Sequence, residues 1–123
     1  MAHGFLKSFD PDLEVFSAGI KPESVVNRFA IQVMNESFID ISHHSPHHVN
    51  EYMHDDFDFL LTVCDNAKTK CPVFQGNIRN SMHKGFEDPA DATGSDQEIM
   101  EVYRQIRDEI KNEMFIFYKQ LTK

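Results

Sequence analysis

A chain of 123 residues is long enough for one compact domain and too short for two. Hydrophobic residues make up 41% and charged residues 26%, the balance of a soluble globular chain. The net charge of −8 argues against a nucleic-acid backbone as partner, because such a binder needs clustered Lys and Arg. A small anion held by backbone N–H groups at a helix start stays compatible with that charge. No apolar run reaches membrane-spanning length and no signal-peptide pattern opens the chain. Two cysteines do not make a secreted disulfide framework, so the expected location is the cytoplasm.

Met1, Ala2, Phe5, Leu6 and Phe9 recur at helical spacing, so "MAHGFLKSF" reads as an amphipathic helix with no cap ahead of it. "DPDLE" turns the chain, and "LEVFSAG" (13–19) is rich in strand formers and closes on Gly19. Pro22 suits the first turn of a helix. Its buried stripe is Val25, Val26, Phe29, Val33 and Met34, running to about Ser37. After "FIDIS", the pair Ser45-Pro46 predicts a capped helix over roughly 46–54. "FDFLLTVC" is the clearest strand, almost continuously apolar at 59–64, as suits a parallel strand covered on both faces. Residues 65–80 read as loop-rich, "SMHKGF" as a short last strand and "EDPADATG" as a loop. Ser95 caps a long helix with Ile99, Val102, Tyr103, Ile106, Ile110, Phe117 and Leu121 on one side. No repeat or linker divides the chain, so residues 1–123 form one domain. The alternation of elements predicts an α/β fold with a mainly parallel sheet and helices on both faces.

Three places carry candidate chemistry. Cys64 ends the clearest strand, and ligands in parallel α/β folds bind beyond such ends. Taken alone, Cys64 and Cys71 read either as buried thiols, Cys71 more so than Cys64, or as a redox couple. Zinc is disfavoured, because a structural site wants about four ligands at closer spacing. A reversible disulfide requires the intervening segment to bring the two Cα atoms within about 7 Å. Lys68 and Lys70 between them favour the reactive thiolate. Asp88 stands in "GFEDPAD", where it reads either as a general acid at a site rim or as an ordinary Asp-Pro turn. "HHSPHH" reads as a solvated helix start rather than a metal site, since Pro46 separates His44 from His48. The acidic pair Asp55 and Asp56 reads as a solvated helix end.

"VFSAGIKP", "IDIS", "FDFLLTVCDNAKTKCP", "GFEDPADATGSDQE" and "YRQIRDEI" stand in the order and spacing of the thioredoxin-coupled arsenate reductases, which the whole chain resembles. That resemblance implies a three-layer fold of the low-molecular-weight protein tyrosine phosphatase type. In this family a nucleophilic cysteine in a phosphate-type loop attacks arsenate. A second cysteine attacks the adduct and releases arsenite. A third then forms a disulfide with the second, and thioredoxin reduces it. By position Cys64 matches the second cysteine, Cys71 the third, Asp88 the general acid and Ser17 the serine that supports the oxyanion loop. The implied partners are thioredoxin and an arsenate- or phosphate-like oxyanion; no cofactor, metal, nucleic acid or membrane is implied. Ala90 after Asp-Pro, where phosphatases of this fold usually carry an aromatic residue, favours the reductase branch.

The departure from the family is the nucleophile loop, Cys-x5-Arg, whose N–H groups and guanidinium cradle the oxyanion. Six positions after Cys64 stands Lys70, and six after Cys71 stands Asn77. In relatives that loop and a central strand come just before the segment matching "MAHGFLKSF". The chain therefore reads as N-terminally truncated and inactive by itself. The alternatives are a non-catalytic binding protein of the same fold and a phosphatase relative. The lost strand would lie between those matching 13–18 and 57–64, so direct pairing of these two strands, filling of the slot by another copy, or poor order of the region is expected, with rearrangement or self-association favoured and a cover by residues 1–9 as the alternative.

Overall fold

The computed structural model describes residues 1–19, 26–63, 75–87 and 89–121. Helix α1 (Ala2–Phe9) follows the apolar spacing of its sequence and buries Gly4, Phe5 and Leu6. Extended Asp10 ends it, and the Lys7 ammonium donates to the carbonyls of Pro11 (2.9 Å) and Leu13 (2.6 Å), fixing the turn that follows. Helix α2 (Arg28–Asn35) starts later than the sequence suggests. Asn27 is extended, and its side chain accepts from the N–H of Phe29 (2.8 Å) and Ala30 (3.3 Å), which is what a cap does. The expected start at Pro22 lies outside the described residues.

Helix α2 ends in a Schellman turn. The N–H of Phe38 bonds the Asn35 carbonyl (2.9 Å) and that of Ile39 bonds the Met34 carbonyl (3.0 Å). This puts Phe38 at φ 62°, the left-handed region usually left to glycine, with its side chain 97% exposed. Phe38 thus carries a backbone cost and gains nothing from burial. Phe38→Gly is expected to raise unfolding stability by about 1 kcal/mol, seen as a higher melting temperature. A lower one would show that the ring makes contacts its exposure does not suggest.

Helix α3 (Asp96–Leu121) opens with a capping box: Ser95 Oγ accepts from Glu98 N–H, and the Glu98 carboxylate accepts from Ser95 N–H. Tyr103, Ile106, Ile110, Met114 and Phe117 form its buried stripe and join Phe5, Val33, Met34 and Ile41 in one core. Met114 belongs to this stripe although the sequence reading passes over it. Arg107 donates to the Val33 carbonyl (2.9 Å) and to Glu36 (2.7 Å), and Arg104 also reaches Glu36, tying the end of α2 to α3.

Strands β1 (Phe57–Thr62) and β2 (Ile78–His83) pair in parallel, Phe57 opposite Ile78 and Thr62 opposite His83. The α/β class with a parallel sheet therefore holds, and β2 begins three residues before the expected "SMHKGF". Gly76 fixes the approach of β2: a Cβ there would overlap the Asp55 carbonyl, and the Asp56 carboxylate accepts the Asn77 N–H (2.8 Å). That carboxylate is thus a structural acceptor, not merely a solvated charge.

Three expectations are corrected. Strand β1 is not fully covered on either face. Phe59 meets Phe117 of α3 edge-on at 6.1 Å and Leu61 lies against the helical core, yet Phe59 stays 38% exposed, and on the other face Leu60 and Thr62 are only half-buried. Residues 14–18 form no strand; among the described residues none of their backbone groups joins a ladder with β1. Strand propensity is satisfied only by a neighbour, and among the described residues the sole pairing of this segment is the bridge from Gly19 to His48. That bridge also explains the third correction. The His47 carbonyl accepts from Gly19 N–H and the Gly19 carbonyl accepts from Val49 N–H, so His48 between them is extended, and the helix expected over 46–54 contracts to a 3-10 turn at Val49–Glu51. His48, not Ser45, caps it.

Candidate functional site

A cleft of about 580 Å³ opens where α1, the extended segment 14–18 and the end of β1 converge. Ser17 lines it from the extended segment, and Val63 from the residue just past β1. Glu87, Pro89 and Asp91 line the opposite rim, while Ile106 and Ile110 of α3 form part of its floor. The predicted site residues Cys64, Cys71 and Asp88 lie outside the described residues. Their described chain neighbours Val63, Glu87 and Pro89 border this same cleft together with Ser17.

Ser17 is held from α1. His3 Nδ1 lies 2.8 Å from Ser17 Oγ, and the His3 ring meets His44 at 4.6 Å with the rings tilted by 36°; His44 in turn meets His43 edge-on at 4.6 Å. Both His3 and His44 line the cleft. Burial, then the neighbouring His44, pushes the His3 imidazole down to about 4. Burial, then His43, lowers His44 in the same direction. At neutral pH the His3 ring is therefore an uncharged hydrogen-bonding prop for Ser17 rather than an anion-binding cation. The sequence reading misses His3. The signal was available: a helical wheel sets it one turn from the buried Leu6 and beside the stripe of α1. Among the described lining residues no Lys or Arg side chain is present, while Glu87 and Asp91 are acidic, so this part of the cleft offers no guanidinium clamp for an oxyanion. Among the described residues no three His, Cys, Asp or Glu side chains are gathered as metal ligands.

The His3 shift carries a pH dependence. His3 titrates at its ordinary 6.5 in the unfolded chain and near 4 in the fold, so between these values the unfolded chain holds more protons. Stability from this ring is complete above pH 6.5 and is lost as pH falls towards 4. Solvent screening of the half-buried ring reduces the effect to the order of 1 kcal/mol. Thermal melts across this window are expected to show a shallower acid limb in His3→Asn than in the parent. Identical limbs would assign the titration to another group.

The helices gathered over a parallel sheet, with a cleft beyond the end of β1, define an α/β protein of the phosphatase-like type. The low molecular weight phosphotyrosine protein phosphatase profile matches residues 1–123, and the chain belongs to that family. Within it the chain is 36% identical to an arsenate reductase of Oceanobacillus iheyensis over 97% of its own length and 85% of the relative's. It is 34% identical to an arsenate reductase of Bacillus subtilis, over 93% and 81% of the two chains. A solved structure described as an arsenate reductase in reduced state superposes with a TM-score of 0.73 at 25% identity, covering 98% of this chain and 86% of the other. A second solved structure, arsenate reductase from Archaeoglobus fulgidus, shares the fold at 19% identity and a TM-score of 0.65, covering 92% of this chain and 86% of the other. The similarity thus lies with the arsenate reductases of the family.

Proposed function

We propose that residues 1–123, as one domain, carry the relay half of an arsenate reductase. In this reading Cys64 attacks the thiol–arsenate adduct made by a separate nucleophilic cysteine, and arsenite leaves. Arsenic gains two electrons, and the two thiols lose them in forming a disulfide. Cys71 then attacks Cys64, frees the first cysteine, and leaves a Cys64–Cys71 disulfide that thioredoxin reduces in the cytoplasm. Asp88 protonates the leaving oxygen, and Ser17 supports the oxyanion loop. The observation that carries the reading is the convergence of Ser17 with the chain neighbours of Cys64 and Asp88 on one cleft, in a chain similar to arsenate reductases along its length. Among the described residues no helix is long and apolar enough to cross a membrane.

Residues 1–123 alone contain no Cys-x5-Arg sequence, which favours the second reading: without that loop they bind or relay but do not turn over arsenate or an aryl phosphate. The experiment for the relay itself is mild oxidation followed by proteolysis and mass spectrometry. One intramolecular Cys64–Cys71 disulfide, two protons lighter and reversed by reduced thioredoxin, is the expected product. Closing so short a loop constrains the unfolded chain by about 2–3 kcal/mol before native strain is subtracted, so the bond can form and still be reducible. Thiols that stay free, or bridge only between chains, would remove the relay.

A further inference from the structure

Two backbone bonds tie the segment that carries Ser17 to the 3-10 turn at Val49–Glu51, and they flank His48. Gly19 N–H donates to the His47 carbonyl at 2.9 Å, and Val49 N–H donates to the Gly19 carbonyl at 3.0 Å. His48 also caps the turn. Its Nδ1 accepts Asn50 N–H at 3.0 Å, and its own N–H donates to Glu51 Oε2 at 3.0 Å. An imidazole thus stands where Ser, Thr, Asp or Asn is the usual cap. The difference is chemical. A hydroxyl or amide oxygen accepts at any mild pH, whereas an imidazole accepts only through an unprotonated nitrogen. An imidazolium has N–H on both nitrogens and accepts nothing. The neighbouring groups act in the same direction. Glu51 Oε2 also lies 3.1 Å from His47 Nδ1, so a charged His47 draws the carboxylate away from the box. The Tyr52 ring meets His47 at 5.9 Å and Phe16 of the paired segment at 5.5 Å. Glu14 is the only charged residue of that segment (13–19), and His54, Asp55 and Asp56 follow the turn in the chain. His43 and His44 form ring contacts on the side of His3.

We propose that His48 is a proton-operated cap that holds or releases the Ser17 segment. With a neutral ring the capping box holds the turn, the turn holds the bridge to Gly19, and Ser17 stays at the cleft. A proton on the ring removes the acceptor of Asn50 N–H. The turn loses its cap, the bridge loosens, and residues 14–19 are freed. The sign follows directly: the acceptor is present above the ordinary imidazole range and is lost as pH falls through it. Ser17 is the one predicted site residue among the described residues, so the device acts on the site itself. Its consequence for oxyanion binding rests on the relay reading above; the switch does not.

The test is amide hydrogen exchange of isotope-labelled residues 1–123, read by NMR at Gly19, Val49 and Asn50 and corrected for the intrinsic pH dependence of exchange. From about pH 7.5 to about pH 5.5, across the imidazole range, protection at these amides should fall about tenfold, the scale of a lost cap. His3 titrates near 4, below this window. His48→Asn supplies an amide oxygen that does not titrate, so its protection should stay high and flat. His48→Ala removes the acceptor, so protection should be low at both ends. His47→Gln should keep the response. A parent whose protection does not change, an equal fall in His48→Asn, high protection in His48→Ala, or a response that vanishes with His47→Gln would each overturn the proposal. None of these readouts depends on arsenate chemistry, so the relay stands or falls separately.

Discussion

Arsenate added to residues 1–123 with thioredoxin, its reductase and NADPH is expected to yield arsenite no faster than buffer. The reason is chemical. A relay cysteine attacks an adduct and cannot make one without an anion-binding loop around a nucleophile. Neither cysteine has an Arg six positions on, and the described cleft lining has no Lys or Arg side chain. Joining a strand and a Cys-x5-Arg loop ahead of Met1 is expected to switch turnover on, and the variants then separate the steps. Cys64→Ser should lower turnover by more than about a hundredfold, because no thiol reaches the adduct. Cys71→Ser should release one arsenite per chain and stop, since the disulfide from the first cysteine to Cys64 is not passed on. Asp88→Asn should slow the reaction about 10²–10⁴-fold, the range of a lost general acid. Full steady-state rates in Cys71→Ser would show that thioredoxin resolves the first disulfide directly. Robust turnover by residues 1–123 alone would sink the whole assignment.

How much of this is legible in the sequence depends on whether a signal is local. Ser95 reads correctly as the cap of α3, though its reciprocal partner Glu98 does not, and the helix's own periodicity gives Tyr103, Ile106, Ile110 and Phe117 of the buried stripe but not Met114. β1 reads correctly because six apolar-rich residues have few other uses, yet its coverage does not, since that depends on which elements lie against it. Residues 13–18 have the composition of a strand, but pairing is a property of two segments, and among the described residues no second strand runs beside them. His48 displaces Ser45 as a cap because the long-range bridge to Gly19 extends the backbone there, something Ser45-Pro46 cannot report. The site divides in the same way. The resemblance assigns Ser17 and the chain order of Cys64, Cys71 and Asp88. The imidazole pair that props Ser17 joins residues 41 positions apart in sequence, His3 and His44, and only folding brings them together.

Phe5→Ala is expected to cause the largest loss of stability among single changes in the core. Phe5 is 1% exposed and belongs to the same buried cluster as Met34 and Met114, which are equally hidden. Removing a buried aromatic ring costs about 3–5 kcal/mol, a transfer part plus a part for the void it leaves. Two features decide where in that range the loss falls. Met34 and Met114 are flexible and can partly relax into the void, which lowers the cost. Helix α1 already lies close to the core at Gly4, where there is no room for even a methyl group (a Cβ would stand 2.9 Å from Ile41 and 3.0 Å from Met34), so it has little space to shift inward. The balance favours about 3–4 kcal/mol against a total of about 5–15 kcal/mol for a domain of this kind. In urea the midpoint should fall by about 1–3 M with little change in slope. Ile116→Ala on the outer side of α3, where the residue is 52% exposed, should cost about 1 kcal/mol or less. Equal losses from the two substitutions would mean that α1 is not docked on the core, and the cleft that α1 borders through Met1, Ala2 and His3 would lose its wall.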